Sequence, residues 1–208
     1  MKMTKMYKFV HTVFMGGVKL LFRLKVIGAE NEPAEGRLLV CSNHISAADP
    51  VLISAATKYM ICYMAKKELF GIPLFGSFLK SLGVFPVDRR GKDVSAVKKA
   101  ISILNEGGRV GIFPQGTRHP GENPRETALK NGAAMIAVHT KADILPVYIH
   151  RKDNTPKLFR KTVVVIGKPI KFDDLNYNEE ASGEYIRIVN TIFDEVCKLG
   201  EGLEKCEK

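Results

Sequence analysis

The chain has 208 residues, 45% of them hydrophobic and 26% charged, which is globular composition and excludes a disordered or fibrous protein. That length makes one domain with some extra chain rather than two independent cores. Thirty-two Lys and Arg against 22 acids leave a net charge of +10, which favours anionic partners: nucleic acid, an acidic membrane face or phosphorylated substrates.

Residues 1–29 hold six basic side chains (Lys2, Lys5, Lys8, Lys19, Arg23, Lys25) and no acid, interleaved with Met, Phe, Leu and Val. The pattern predicts two short amphipathic helices, broken near Gly16–Gly17. Such helices lie in a headgroup plane, each lysine gaining about 1 kcal/mol from anionic lipid. The same pattern also suits helices packed on the parent domain with lysines turned to water. The uncharged run Phe9–Val18 covers ten residues where a membrane crossing needs about twenty, and it has no small-residue cleavage site like that of a signal peptide. We therefore divide the chain into a membrane-associating helical segment, 1–29, and an α/β domain, 30–208.

In that domain the apolar run ending at Ser42 reads as a buried strand, followed by a helix over Pro50–Tyr59 and a strand over Met60–Ala65. Leu69–Leu82 is helical but interrupted by Gly71, Pro73 and Gly76, and Val84–Val87 is a strand. Val94, Val97, Ile101 and Leu104 recur at helical period, and that helix stops at Gly107–Gly108. A strand at Arg109–Phe113, an Ala-rich helix at Thr127–Thr140, strands at Ile144–Ile149 and Thr162–Ile166, and a closing helix at Glu184–Leu199 complete the series. Alternating strands and helices predict an α/β fold with a largely parallel central sheet and helices on both faces. Ligands then sit beyond the carboxyl ends of the strands.

The loop after the first of these strands reads Ser42-Asn43-His44-Ile45-Ser46-Ala47-Ala48-Asp49-Pro50. On one continuous helix His44 and Asp49 would sit about 140° apart, so they meet only if the intervening residues turn. Asp-Pro is also a helix-start signal, with Asp49 suited to the N-cap. A carboxylate can cap with one oxygen and accept His44 Nδ1–H with the other, leaving Nε2 unprotonated towards a hydroxyl. A second loop, Phe113-Pro114-Gln115-Gly116-Thr117-Arg118, supplies a turn, a hydroxyl and a guanidinium fork suited to phosphate. Arg89, at the end of Phe85-Pro-Val-Asp-Arg89, reads in isolation as a surface ion-pair partner of Asp88.

Taken in order, Asn43-His44-x-x-x-x-Asp49, Val84-Phe-Pro-Val-Asp-Arg89, Phe113-Pro-Gln-Gly-Thr-Arg118 and Leu145-Pro-Val-Tyr-Ile149 resemble the motif blocks of the glycerolipid acyltransferase family. They are most similar to those of 1-acylglycerol-3-phosphate acyltransferases, over roughly Leu38 to Lys168. The resemblance implies transfer of a fatty acyl group from acyl-CoA or acyl carrier protein to a lysophospholipid, without a metal or further cofactor. It implies His44 as general base and Asp49 as its orienter, with Arg89, Gly116, Thr117, Arg118 and the nearby Lys66 serving the acceptor phosphate. It also implies a peripheral or monotopic enzyme at the cytoplasmic face of the cell membrane. One position departs: Gln115 stands where the family has Glu, which removes a negative charge and leaves the acceptor open to glycerol 3-phosphate or another lysolipid. Oxyanion donors stay open between backbone N–H groups near Val51 and Gly116.

Rival readings are poorer. A covalent hydrolase wants a nucleophile elbow, which the sequence lacks, and Cys41 reads as a buried inert thiol. The four scattered cysteines suit a reducing compartment, and neither they nor the histidines have metal spacing. No RNP-like run, finger or zipper marks a nucleic-acid binder. A peripheral lipid-binding module without chemistry is the non-enzymatic alternative.

Overall fold

Seven strands form one sheet in a computed structural model that describes residues 14–87, 94–155 and 157–203. The described chain begins in a helix, α1, over residues 14–21. It continues through β1 (Leu24–Ile27), β2 (Leu38–Ser42), α2 (Asp49–Ala56), β3 (Cys62–Lys66), α3 (Phe75–Ser81), β4 (Phe85–Val87) and α4 (Val94–Asn105). Then come β5 (Arg109–Ile112), α5 (Gly132–Thr140), β6 (Asp143–Arg151), β7 (Thr162–Ile166) and α6 (Glu184–Lys198). Strand order is β1-β7-β6-β2-β5-β3-β4. The five strands from β6 to β4 are mutually parallel, while β7 runs antiparallel to β6 and carries β1 with it.

The central strands read as unbroken apolar runs because both of their faces are covered. Leu39 and Cys41 of β2 face a core built with α4, α5 and α6, and Leu38 and Val40 face a second core built with α1 and α2. On α6 the buried residues Ile188, Val189, Ile192, Phe193, Val196 and Cys197 recur at three and four, one helical stripe against that first core. Pro146 lies inside β6, a central strand, where a missing N–H normally breaks a ladder. Its carbonyl accepts from Gly167 N at 2.9 Å, so its backbone polar side faces β7, whose ladder with β6 begins only at Val147. The β2 ladder therefore loses nothing.

Three expectations about elements need correction. The helix over residues 14–21 runs through Gly16–Gly17 without a break, held by burial of Met15 and Val18. Residues 24–27, expected within a helical segment, are instead an edge strand of the sheet with alternating half-burial. The helix expected from Thr127 starts at Gly132, because residues 127–131 turn back to the β5 loop, with Lys130 N donating to Pro114 O at 2.8 Å. Residues 1–13 lie outside the described chain.

Candidate active site

β2 and β5 are neighbours, so their parallel carboxyl ends deliver two loops side by side. After Ser42 the chain is fastened at Asn43, a buried side chain that acts as a piece of strand. Its Nδ2 donates to Ile149 O at 3.0 Å and its Oδ1 accepts from Ile149 N at 2.8 Å. Beyond that anchor the backbone turns, and His44 Nδ1 comes to 2.9 Å from Asp49 Oδ2. The same oxygen accepts from Ile45 N and Ser46 N, both at 2.6 Å.

This arrangement corrects the expectation that Asp49 caps α2. Its carboxylate turns back into the loop, and the helix has no side-chain cap. A fully buried carboxylate with three donors on one oxygen has one orientation available, and it passes that constraint to the imidazole. With Nδ1–H donated to Asp49, the tautomer leaves the Nε2 lone pair without a hydrogen-bond partner among the described residues.

The β5 loop grips His44 from both sides. Gln115 Oε1 accepts from His44 N at 2.6 Å, and His119 N donates to His44 O at 2.9 Å. The Phe113 ring stacks on the imidazole, centroids 4.0 Å apart and planes 14° off parallel. Behind Phe113 lies Tyr63, at 6.2 Å, whose ring occupies the space a side chain at Gly111 would fill. Gln115 is itself pinned: Nε2 donates to Thr127 Oγ1 at 2.8 Å, and that hydroxyl donates to Pro124 O at 2.7 Å. The residue that departs from the family's pattern is thus buried and hydrogen-bonded at both ends of its amide.

Between the two grips on His44, residues 116–118 stand exposed at the carboxyl edge. Gly116 turns the chain with a φ of +71°, a conformation that favours glycine. Its N–H donates to Phe113 O at 2.9 Å, so this backbone donor, weighed above for the oxyanion, is already engaged in the turn. Thr117 and Arg118 follow it into solvent. The structure thus brings together His44, Asp49, Gly116, Thr117 and Arg118. Lys66 is exposed at the carboxyl end of β3, the strand next to β5, and pairs in register with Val87. Arg89 lies outside the described residues.

One charged residue of the site escaped the sequence reading. Arg151, at the carboxyl end of β6, is 3% exposed and places Nη2 3.3 Å from Asp49 Oδ1. Neither that carboxylate oxygen nor any guanidinium nitrogen has a hydrogen-bond partner among the described residues. Burial pushes the guanidinium below its ordinary range, while the Asp49 charge pulls it back up. The only sequence signal was a cation closing the apolar run Ile144–Ile149.

The other candidate side chains are buried or bonded elsewhere. Cys41 is fully buried in the core on the α4–α6 side, and burial pushes its thiol far above its ordinary range. His119 Nδ1 lies 3.0 Å from Glu122, and His139 Nδ1 lies 2.8 Å from Met135 O. Among the described residues no group of three or more His, Cys, Asp or Glu converges to hold a metal ion, and no helix is long and apolar enough to cross a membrane.

A family model described as Acyltransferase matches residues 23–150. A Bacillus subtilis protein named 1-acyl-sn-glycerol-3-phosphate acyltransferase is 38% identical over 168 residues, covering 79% of this chain and 82% of that one. A Borreliella burgdorferi protein of the same name is 33% identical over 155 residues, where this chain spans 58% of its length. The crystal structure of the 1-acyl-sn-glycerophosphate (LPA) acyltransferase PlsC from Thermotoga maritima is similar with a TM-score of 0.70 at 25% identity, covering 96% of this chain and 93% of that one.

Proposed function

Since the chain belongs to the acyltransferase family, we propose that it transfers a fatty acyl group from an acyl thioester to the free hydroxyl of 1-acylglycerol 3-phosphate, giving phosphatidate. The names of its relatives support the acceptor. The observation that carries the chemistry is the 2.9 Å contact between His44 Nδ1 and Asp49 Oδ2, formed at the carboxyl edge within a loop that also packs on the Arg118 turn.

The reaction proceeds in one acyl transfer without a covalent enzyme intermediate. Arg118, with Thr117, Lys66 and Arg89, holds the acceptor phosphate and sets its hydroxyl against His44 Nε2. His44 takes the hydroxyl proton as the oxygen attacks the thioester carbonyl, and Asp49 keeps the imidazolium oriented. Collapse of the tetrahedral intermediate expels the thiolate, which takes the proton back from Nε2. Histidine is neutral again and the ester is complete. An amide at position 115 keeps the carboxylate's acceptor oxygen on His44 N and adds no negative charge beside an anionic acceptor.

The acceptor and product are membrane lipids, and the basic, apolar residues ahead of β1 lay the enzyme on the acidic cytoplasmic face of the cell membrane. Coenzyme A and acyl carrier protein are both anionic and both suit a chain of charge +10. The test is transfer from radiolabelled acyl-CoA and acyl carrier protein thioesters, each assayed with lysophosphatidate, glycerol 3-phosphate and lysophosphatidylcholine. Labelled phosphatidate from lysophosphatidate is expected. A higher rate on glycerol 3-phosphate or the choline lysolipid would reassign the acceptor, and no transfer with any pair would end the enzymatic reading.

A further inference from the structure

The connection between β6 and β7, residues 152–161, leaves the sheet at Arg151 and returns at Thr162, which pair across the ladder. It therefore projects from the same edge that carries His44 and Arg118. Its base is tied on two sides. Asn154 Nδ2 donates to Glu122 O at 2.9 Å and Asn154 O accepts from Gly121 N at 3.0 Å, next to the Arg118 turn. Phe159 N donates to Leu21 O at 3.0 Å and Thr162 N to Phe22 O at 3.1 Å, at the end of α1.

The tip of this connection is uncovered. Leu158 is 57% exposed and Phe159 69% exposed, and Leu20, preceding the Leu21 that accepts from Phe159 N, is 81% exposed. Phe159 holds a φ of +60°, an uncommon conformation for a bulky side chain, so the backbone is constrained while its ring stays in solvent. Around this apolar tip stand the exposed cations Lys157, Arg160 and Lys161, with Lys19 on α1 and Arg23 in the turn after it, and no acid occurs between Asp153 and Asp173. Large apolar side chains ringed by cations of one sign match an anionic bilayer: the rings and aliphatics enter the interface and the cations stay at headgroup level.

We propose that residues 157–161 insert into an anionic phospholipid surface and, together with α1, seat the carboxyl edge of the sheet on the membrane. The inference deepens the membrane reading above and rests on it. It adds a contact far along the chain from the basic N-terminal stretch, and it aims the Arg118 turn at the lipid surface.

The sequence contains no tryptophan, so Phe159→Trp makes a single reporter in the full chain. The control is Ile186→Trp, at an exposed apolar position on α6, which packs on the opposite face of the sheet. Vesicles of equal parts phosphatidylglycerol and phosphatidylcholine should shift F159W emission to the blue, and brominated acyl chains should quench it, with I186W unmoved. If the vesicles sediment the protein but F159W emission stays put, the loop is not in the bilayer and only the N-terminal contact stands. If the vesicles sediment neither protein, the membrane reading falls together with the loop. A response of F159W to acidic carrier protein in place of vesicles overturns the proposal in favour of a protein partner. The double change Leu158→Ser/Phe159→Ser should weaken vesicle partitioning about tenfold or more, with acyl transfer in detergent micelles unaltered. Unchanged partitioning would overturn it.

Discussion

Two buried arginine–carboxylate pairs sit at opposite edges of the sheet, and they are built differently. At the amino edge, Arg109 Nη1 donates to Glu32 Oε1 at 2.7 Å, Nη2 donates to Pro33 O, and the guanidinium lies 4.2 Å over the Tyr59 ring. Glu32 also accepts Lys58 N at 2.7 Å and Tyr59 N at 3.3 Å, closing the chain just after α2. At the carboxyl edge, the Arg151 guanidinium has no hydrogen bond among the described residues, and its charge faces Asp49 across 3.3 Å. A satisfied pair locks geometry; an unsatisfied one supplies field at the cost of desolvation. One edge therefore holds the fold together, and the other holds a proton-transfer pair in position.

Substitutions at the two edges should separate turnover from stability. His44→Ala should lower kcat by about 10²–10⁴ with the melting temperature unchanged; retained turnover would remove the base assignment. Glu32→Ala leaves Arg109 buried without its carboxylate, at about 3–5 kcal/mol of stability. Thermal unfolding should fall by roughly 10 °C, and kcat of the folded fraction should hold. Arg151→Met should do the reverse, lowering kcat by up to about 10²-fold through a displaced Asp49–His44 pair, with a melting shift smaller than that of E32A. Equal stability losses in these two variants would erase the contrast between the edges. Gln115→Glu retains the oxygen on His44 N and adds a charge beside the acceptor, so KM for lysophosphatidate should rise by up to about fivefold with kcat little changed. A lower KM would show that the departure from glutamate weakens acceptor binding.

The smallest effect belongs to the surface. Arg187, and Asn178 N behind it, hold the Glu184 carboxyl down to about 2. A depressed carboxyl stabilises the fold above its unfolded value, near 4.3, and the gain is lost as pH falls towards 2. Melting curves of the parent and Glu184→Gln should differ slightly above pH 5 and converge near pH 2. Divergence that grows with acid would reverse the assignment.

What the sequence discloses follows contact range. Runs such as Leu38–Ser42 and Thr162–Ile166 are legible because burial on both faces demands continuous apolar residues. The His44–Asp49 turn is legible because its partners are five residues apart. Arg151 was not, because its partner lies 102 positions earlier and only the β2–β6 pairing brings them together. Asp49 was assigned a cap because Asp-Pro starts helices, but Ile45 N and Ser46 N compete for the same carboxylate and win. β1 was hidden in an amphipathic run, since an edge strand half-buried on alternate residues carries a weak pattern when only four residues long.

The pairing of β1 with β7 has a consequence for how the chain is made. Leu24 finds its partner at Thr162, 162 − 24 = 138 positions later. At about 5–20 residues per second, a ribosome takes roughly seven to twenty-eight seconds to cover that interval. Until β7 is made the first strand lacks the strand it pairs with, and the cationic, apolar residues ahead of it emerge from the tunnel before that partner does. Their earliest binding opportunities come from chaperones or bilayers, before their own sheet is complete.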